Sequence, residues 1–367
     1  MAWEIFIRLS AKDILRCRAV CRFWHDLTCA PDFLQAHHQR QPTLPLVMLH
    51  HTASTDRGLP FGERGRPVLG FDDYEGFKLL ASCDGLLLLY LSDGRYSICN
   101  PATRQCAPLS CLSAAGDIRI VAMYLHRPSG EYRVLYWKGR QQGHPEAVYY
   151  ILMVRRGRSP RCIGFPSDTP GMEKAMLTCK YGMTPNNYYA PPVVFRNCLH
   201  WDTSNPKTAS IVVFDTVVES FRFMRRPRRG ATRFDSRLCD MEGSIGFSCF
   251  DNEGTSAKIW VLEDYEREVW SIKYHVNFPS KNLSYLRDRE TYHFVLSQKG
   301  DVLVYSCSTG YMFHCDNTGK LLEEFQCGNP WSLNIIGHGF KESLVKQDIS
   351  LRRGCGCVRQ LRFFQRI

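Results

Sequence analysis

Five times along this chain an apolar, strand-like run ends at a turn and a second strand-like run follows. The turns lie at Cys99-Asn100-Pro101-Ala102-Thr103, Val154-Arg155-Arg156-Gly157, Phe214-Asp215-Thr216, Leu262-Glu263-Asp264-Tyr265 and His314-Cys315-Asp316-Asn317-Thr318-Gly319. Asx side chains hydrogen-bond to their own backbone one or two residues on, which suits a hairpin end. In four units another strand precedes the turn at a similar offset, at Gly85-Leu86-Leu87, Asn197-Cys198-Leu199-His200-Trp201, Gly243-Ser244-Ile245-Gly246-Phe247 and Gly300-Asp301-Val302-Leu303. The runs between the turns are rich in Val, Ile, Tyr, Phe and Trp and bounded by Gly, Asp, Asn and Pro. They include 86–90, 132–137, 148–154, 193–195, 211–214, 258–262, 269–274 and 302–305, with almost no long helical pattern among them.

Successive units lie roughly 50 to 60 residues apart, near the kelch-like repeat length. Strand, strand, turn, strand, repeated, is the logic of a propeller blade, and radial repetition protects strand edges that would otherwise pair with other chains. A mainly β fold with about six blades fits the length.

The first forty residues follow a different period. Ile5, Phe6 and Leu9 form a short apolar stripe interrupted at Ser10. Ser10-Ala11-Lys12-Asp13 has the form of a capping box with Asp in third place, where a carboxylate also suits the positive end of a helix. The helix expected after it carries Ile14, Leu15, Ala19, Val20 and Phe23 at amphipathic spacings. A third helix is expected from Pro31 through Phe33, Leu34 and His37, since proline is well placed at a first helical position. Three short helices in about forty residues cannot bury enough surface to stand alone, so this module must lean on the rest of the chain or on a partner. The stretch 41–75, rich in Gly, Pro and charge, reads as a linker or irregular entry, and 76–367 as the β domain.

Composition narrows the function classes. At 367 residues and 44% hydrophobic the chain has material for a sizeable core, and 23% charged residues argue against wholesale disorder. The longest apolar run, 86–91, is too short to span a bilayer, and the N-terminus lacks a basic segment leading into an apolar one, so an intracellular protein without membrane contact is expected. The 17 cysteines are scattered, and none shows Cys-x-x-Cys spacing. Cys355-Gly356-Cys357 has no histidine downstream to complete a tetrahedral set, and adjacent His50-His51 on a strand would point to opposite faces. No metal, cofactor or catalytic residue is therefore assigned. Phosphate-loop and nucleophile-elbow patterns are absent, and Gly337-His338-Gly339 reads as turn chemistry. The net charge of +11 is concentrated at 155–158 and 225–229, runs that read as solvated loops; Phe221 and Phe223 beside Met224 are the only aromatics near them.

The stretch Arg8-Leu9-Ser10-Ala11-Lys12-Asp13-Ile14-Leu15-Arg16-Cys17-Arg18-Ala19-Val20-Cys21-Arg22-Phe23-Trp24 closely resembles the plant F-box, and Ala30-Pro31-Asp32-Phe33-Leu34 continues it as the closing segment. The family pattern begins several residues earlier, with a Leu-Pro pair and a Leu-Leu pair, and has proline where this chain has Ser10. The resemblance thus implies an N-terminally shortened F-box over 1–40. The β domain is similar to the F-box-associated domain of plant F-box proteins in its propeller-like form. The matching pieces are Ser82-Cys83-Asp84-Gly85-Leu86-Leu87 with Cys99-Asn100-Pro101-Ala102-Thr103-Arg104, Leu199-His200-Trp201 with Phe214-Asp215, Ile259-Trp260-Val261-Leu262, and Glu342-Ser343-Leu344.

What the resemblance implies is a non-catalytic substrate-recognition subunit of an SCF-type (cullin-RING) ubiquitin ligase, nuclear or cytoplasmic. Its F-box binds a Skp-type adaptor and its β domain binds a protein target. Carried over by position, the adaptor-binding side chains are Ile5, Leu9, Ile14, Leu15 and Val20, while Trp24 is expected inside the module. Two alternatives stand beside this reading: a propeller scaffold uncoupled from the ligase by the shortened F-box, and a basic nucleic-acid-binding module.

Overall fold

The computed structural model describes residues 2–49, 69–72, 77–113, 118–138, 148–154, 159–164, 191–202, 210–227, 236–241, 243–250, 256–278, 293–298, 301–306, 311–326, 333–346, 349 and 352–353. The basic run 155–158, Arg228 and Arg229, His50-His51 and Cys355-Gly356-Cys357 lie outside the described residues.

The chain begins with helices α1 (Ala2–Phe6), α2 (Ala11–Cys17), α3 (Arg22–Cys29) and α4 (Pro31–Arg40). Strands β1 (Thr43–Leu49) and β2 (Leu69–Asp72) follow, inside the stretch read as a linker. Then come antiparallel meanders. Blade 1 is β3 (Phe77–Cys83), β4 (Leu86–Leu91), β5 (Tyr96–Asn100) and β6 (Gln105–Pro108), after which a short helix α5 (Ser110–Ser113) leads on. Blade 2 is β7 (Ile118–His126), β8 (Glu131–Lys138), β9 (Val148–Met153) and β10 (Arg161–Gly164). Blade 3 is β11 (Val193–Phe195), β12 (Cys198–Asp202), β13 (Ser210–Asp215) and β14 (Ser220–Arg225). Blade 4 is β15 (Ser236–Asp240), β16 (Ile245–Phe250), β17 (Ser256–Asp264) and β18 (Val269–Asn277). Blade 5 is β19 (His293–Gln298), β20 (Asp301–Ser306), β21 (Tyr311–Cys315) and β22 (Leu321–Gln326). Finally β23 (Leu333–Lys341) joins β1 and β2 in the order β2-β1-β23, and β24 (Arg352–Arg353) pairs with β6 at the edge of blade 1.

The blade count is five, not the expected six, among the described residues. The sixth sheet is not a meander: its three strands come from opposite ends of the chain. No local hairpin marks such a sheet, so turn spacing alone assigned its length to one more repeat. The chain divides into two compact units. One comprises Met1–Val47, Arg66–Gly164 and His338–Ile367, the other Met48–Gly65 and Phe165–Gly337.

The recurrent turn is the connection between the third and fourth strands of a blade. In blade 1 Asn100 Oδ1 accepts the N–H groups of Ala102 and Thr103 at 3.0 and 3.3 Å. Asp215 Oδ1 does the same for Val217 and Val218 at 2.7 and 3.1 Å, and Asp264 Oδ1 for Glu266 and Arg267 at 3.0 and 2.9 Å. In blade 5 Asp316 Oδ1 takes Thr318 and Lys320 at 2.8 and 3.1 Å. Each turn closes on a residue with positive φ: Arg104, Glu219, Glu268 and Gly319. The second turn type is tighter. Asp84-Gly85 and Arg196-Asn197 both have positive φ at two consecutive residues, the twist that lets a two-residue loop join right-handed strands.

Burial follows from the meander. Leu86 to Leu89 of β4 are all buried, although alternate residues face opposite sides, so blade 1 is covered on both faces. All six residues of β16 are buried likewise, whereas the outer strand β18 exposes Val269 and Ile272. Within the second unit, the β17–β18 turn of blade 4 docks on blade 3. Tyr265 Oη meets His200 Nε2 at 3.0 Å and accepts from Arg222 Nη2 at 2.8 Å; Glu268 accepts from Arg225 N and Nε at 3.0 Å each. Beside it the buried Arg226 pairs with Asp202 at 3.4 Å, and Ser236 of blade 4 donates to the same carboxylate at 2.9 Å.

Two outcomes follow from these contacts. Asp202→Ala removes a carboxylate partner of the buried Arg226 guanidinium and is expected to lower unfolding free energy by about 3 kcal/mol in denaturant titration. Burial also pushes His200 down to about 4 from its ordinary 6.5, while its Nδ1 lies 3.0 Å from the Val193 carbonyl. A depressed folded value means that the unfolded state takes up the proton first, so this contribution is intact above pH 6.5 and is lost progressively as pH falls toward about 4. At pH 5 the loss is expected to reach about 2 kcal/mol in thermal or urea unfolding, and to shrink in His200→Gln.

Candidate functional site

The helical module is built largely as its residues dictate. Ser10 caps α2, its Oγ accepting Asp13 N–H at 3.2 Å and donating to Asp13 Oδ2 at 2.8 Å. Pro31 opens α4. The single helix expected across 11–23 is instead two. It ends at Cys17, and Cys21 is extended (φ −158°, ψ 165°) as the cap of α3, its sulfur accepting from Trp24 N–H. Arg18 stabilises the break by donating to Thr28 O at 2.8 Å, which ties the end of α2 to the end of α3.

Inside, Phe6, Ala11, Ile14, Phe33 and Leu34 form a buried cluster, with Leu344 from the far end of the chain as its sixth buried member. Trp24 stacks edge-on against Phe6 at 4.9 Å, and Trp3 does so against Phe33 at 5.1 Å. Trp24 is thus a packing residue of the module, as the sequence led us to expect.

The candidate adaptor-binding residues separate into three groups. Ile5 is 56% exposed and Val20 63% exposed. Leu9 and Leu15 are half-buried at the margin of the cluster. Ile14 is 0% exposed and belongs to the module's own core. One apolar residue not assigned from sequence is exposed too: Phe23, at 65%, two residues after the cap. With Ala19, Val20, Cys21 and Arg22, all exposed, it makes a continuous surface run at the α2–α3 corner. Reading 11–23 as one helix set Phe23 in the apolar stripe; the break at Cys21 is what turns it outward.

The module also contacts the rest of its own unit. Ala11 N–H donates to Glu342 Oε2 at 3.0 Å, across 331 residues of sequence. His38 Nδ1 lies 2.9 Å from the Glu342 carbonyl, and its Nε2 lies 3.6 Å from Asp84 Oδ1. Lys341 Nζ donates to Gln39 O at 2.9 Å. Ala102, in the Asx turn of blade 1, packs against the module's cluster. Glu342 and Leu344 were legible only as pieces of the β domain, since no local spacing links them to residue 11.

In the β domain the arginines of 225–227 have partners: Arg225 with Glu268 and Arg226 with Asp202. Phe221 packs on Phe214 at 4.8 Å. The Arg225 pair joins blade 3 to blade 4, while the Arg226 pair and the Phe221 contact lie within blade 3. Among the described residues no group of three or more His, Cys, Asp or Glu has metal-binding geometry, and no helix is long and apolar enough to cross a membrane.

Comparisons with known proteins agree with this architecture. The profile of the F-box associated beta propeller domain matches residues 68–329, and the F-box-like profile matches residues 1–39. The chain is 23% identical to F-box protein At1g30790 of Arabidopsis thaliana, over 73% of this chain and 72% of that protein. It is 25% identical to F-box protein At5g18160 of the same plant, over 75% and 69%. F-box protein At5g49610, also from Arabidopsis thaliana, is 23% identical over 73% and 76%. With helical module and blades each matched in place, the chain belongs to the plant F-box proteins that carry an F-box-associated β-propeller domain.

Proposed function

We propose that this chain is the substrate-recognition subunit of an SCF-type ubiquitin ligase, with its helical module binding a Skp-type adaptor and its blades holding a protein target. The observation that carries the reading is the exposed apolar surface of the module. A forty-residue unit that also contacts blade 1 and residues 339–345 still leaves Ile5, Val20 and Phe23 exposed. Large apolar side chains left exposed on a small helical unit are what a partner buries. Ile5 and Val20 carry the docking, and Leu9 and Leu15 support it from the margin. Ile14 acts from beneath, by holding α2 in place.

The mechanism is proximity. The adaptor end is tethered to the ligase and the blade end to the target, so a target lysine sits near the ubiquitin-loaded enzyme at a high effective concentration, without a catalytic side chain in this chain. An intracellular location, nuclear or cytoplasmic, goes with that role. The burial of Ile14 favours a second reading, a propeller scaffold without ligase coupling, because one of the five expected docking side chains is withdrawn from the surface.

Binding to a purified Skp-type adaptor separates the two. The ligase reading expects the parent chain to bind at about 1 µM or tighter. Ile5→Asp with Val20→Asp should weaken binding at least about tenfold, since both sites are already in water and the unfolding midpoint should barely move. Leu9→Asp with Leu15→Asp should weaken it too, at a cost in stability. A parent chain that does not bind, folded and at high concentration, leaves the scaffold.

A further inference from the structure

Residues 339–345 lie between the helical module and blade 1 and bond to both. Toward the module run the Glu342 carboxylate to Ala11 N–H, the Glu342 carbonyl to His38, Lys341 Nζ to Gln39 O, and Leu344 into the buried cluster. Toward the blade, Asn100 Nδ2 donates to Ser343 O at 3.0 Å and Ser82 Oγ to Gly339 O at 2.8 Å. The fit is close enough to constrain the turn chemistry of blade 1. A Cβ placed on Gly85 would lie 2.5 Å from Ser343 Cβ and 3.0 Å from Lys341 O, so the side of the β3–β4 turn facing the strap has room for hydrogen only. Asn100 does two jobs with one side chain, its oxygen closing the blade's Asx turn and its amide gripping the strap.

In the second unit two of the equivalent turns press on a neighbouring blade: that of blade 4 on Arg222 and Arg225, and that of blade 5, through Gly319, on the backbone of His275. In blade 1 the same turn meets the strap and the helical module instead. The module therefore takes, at blade 1, the kind of contact that a blade takes elsewhere.

We propose that residues 339–345 are a mount that sets the direction in which blade 1 carries the adaptor-binding module, with Glu342 and Asn100 as its positioning residues. This assignment rests on the ligase function proposed above. Proximity delivers ubiquitin only to lysines that the tether can bring within reach, and a stiff tether samples few of them. Directional bonds to backbone atoms on both sides, unlike apolar packing alone, fix an orientation as well as a contact.

The test compares the full chain with Glu342→Ala and Glu342→Gln, the latter keeping an oxygen for Ala11 N–H. By hydrogen exchange, Glu342→Ala should speed exchange about tenfold across residues 11–17 and 339–345, with 256–264 unchanged and Glu342→Gln close to the parent. The same proteins are then assembled with a Skp-type adaptor, a cullin-RING core and a ubiquitin-charged conjugating enzyme, and their self-modified lysines are mapped. A mount confines ubiquitin to a restricted set, and Glu342→Ala should spread it to further lysines while adaptor affinity stays the same. If the parent binds the adaptor but exchange or the lysine pattern is indifferent to Glu342→Ala, the mount is overturned and the ligase function stands. If the parent does not bind the adaptor, the ligase function fails and the positioning role falls with it.

Discussion

Forty residues in four short helices bury too little apolar surface to hold themselves together, and the module's structure is a response to that shortage. Its cluster is completed by Leu344, brought in from the far end of the chain, and the first amide of α2 is satisfied by Glu342. Because the strap that supplies both also bonds to Asn100 and Ser82, the module and blade 1 share one set of contacts. Loosening either side exposes groups on the other, so the stability of the docking element and that of the first blade are linked.

The blades solve a different problem with a repeated local device. Four-stranded meanders leave a third-to-fourth strand connection at one edge, and a single Asn or Asp at its start satisfies two amides of the turn. Once its shape is set, the turn is a rigid protrusion that can dock. Blade 4 uses it to place Tyr265 against His200 and Arg222, polar contacts that burial makes obligatory. Among the described arginines of this stretch, Arg222 bonds to Tyr265, Arg225 pairs with Glu268 and Arg226 with Asp202.

Function divides along the same line. The exposed run from Ala19 to Phe23 and the exposed Ile5 are the residues on which the proposed adaptor docking rests. In the proposed function, target choice would fall to loop side chains of the blades, for which no transferable code exists. In the mechanism proposed above, which works by proximity, the strap between them would set how the two ends face.

Much of this was legible in the residues themselves. Local rules sufficed at several places where partners are close in sequence: Ser10 with Asp13, Pro31 at the start of α4, the Asx turns and the strands between them. Contacts between distant segments were not legible, because periodicity carries no information about what lies 331 residues away. The sheet β2-β1-β23 was therefore read as a linker and a sixth blade, and Ile14 was assigned to a partner instead of the core; Phe23 was left in an apolar stripe because the break at Cys21 went unread. Chemistry and local geometry came from the sequence by itself; which apolar side chains remain in water, and which way the module faces, only the tertiary structure decided, because burial depends on what long-range packing brings alongside.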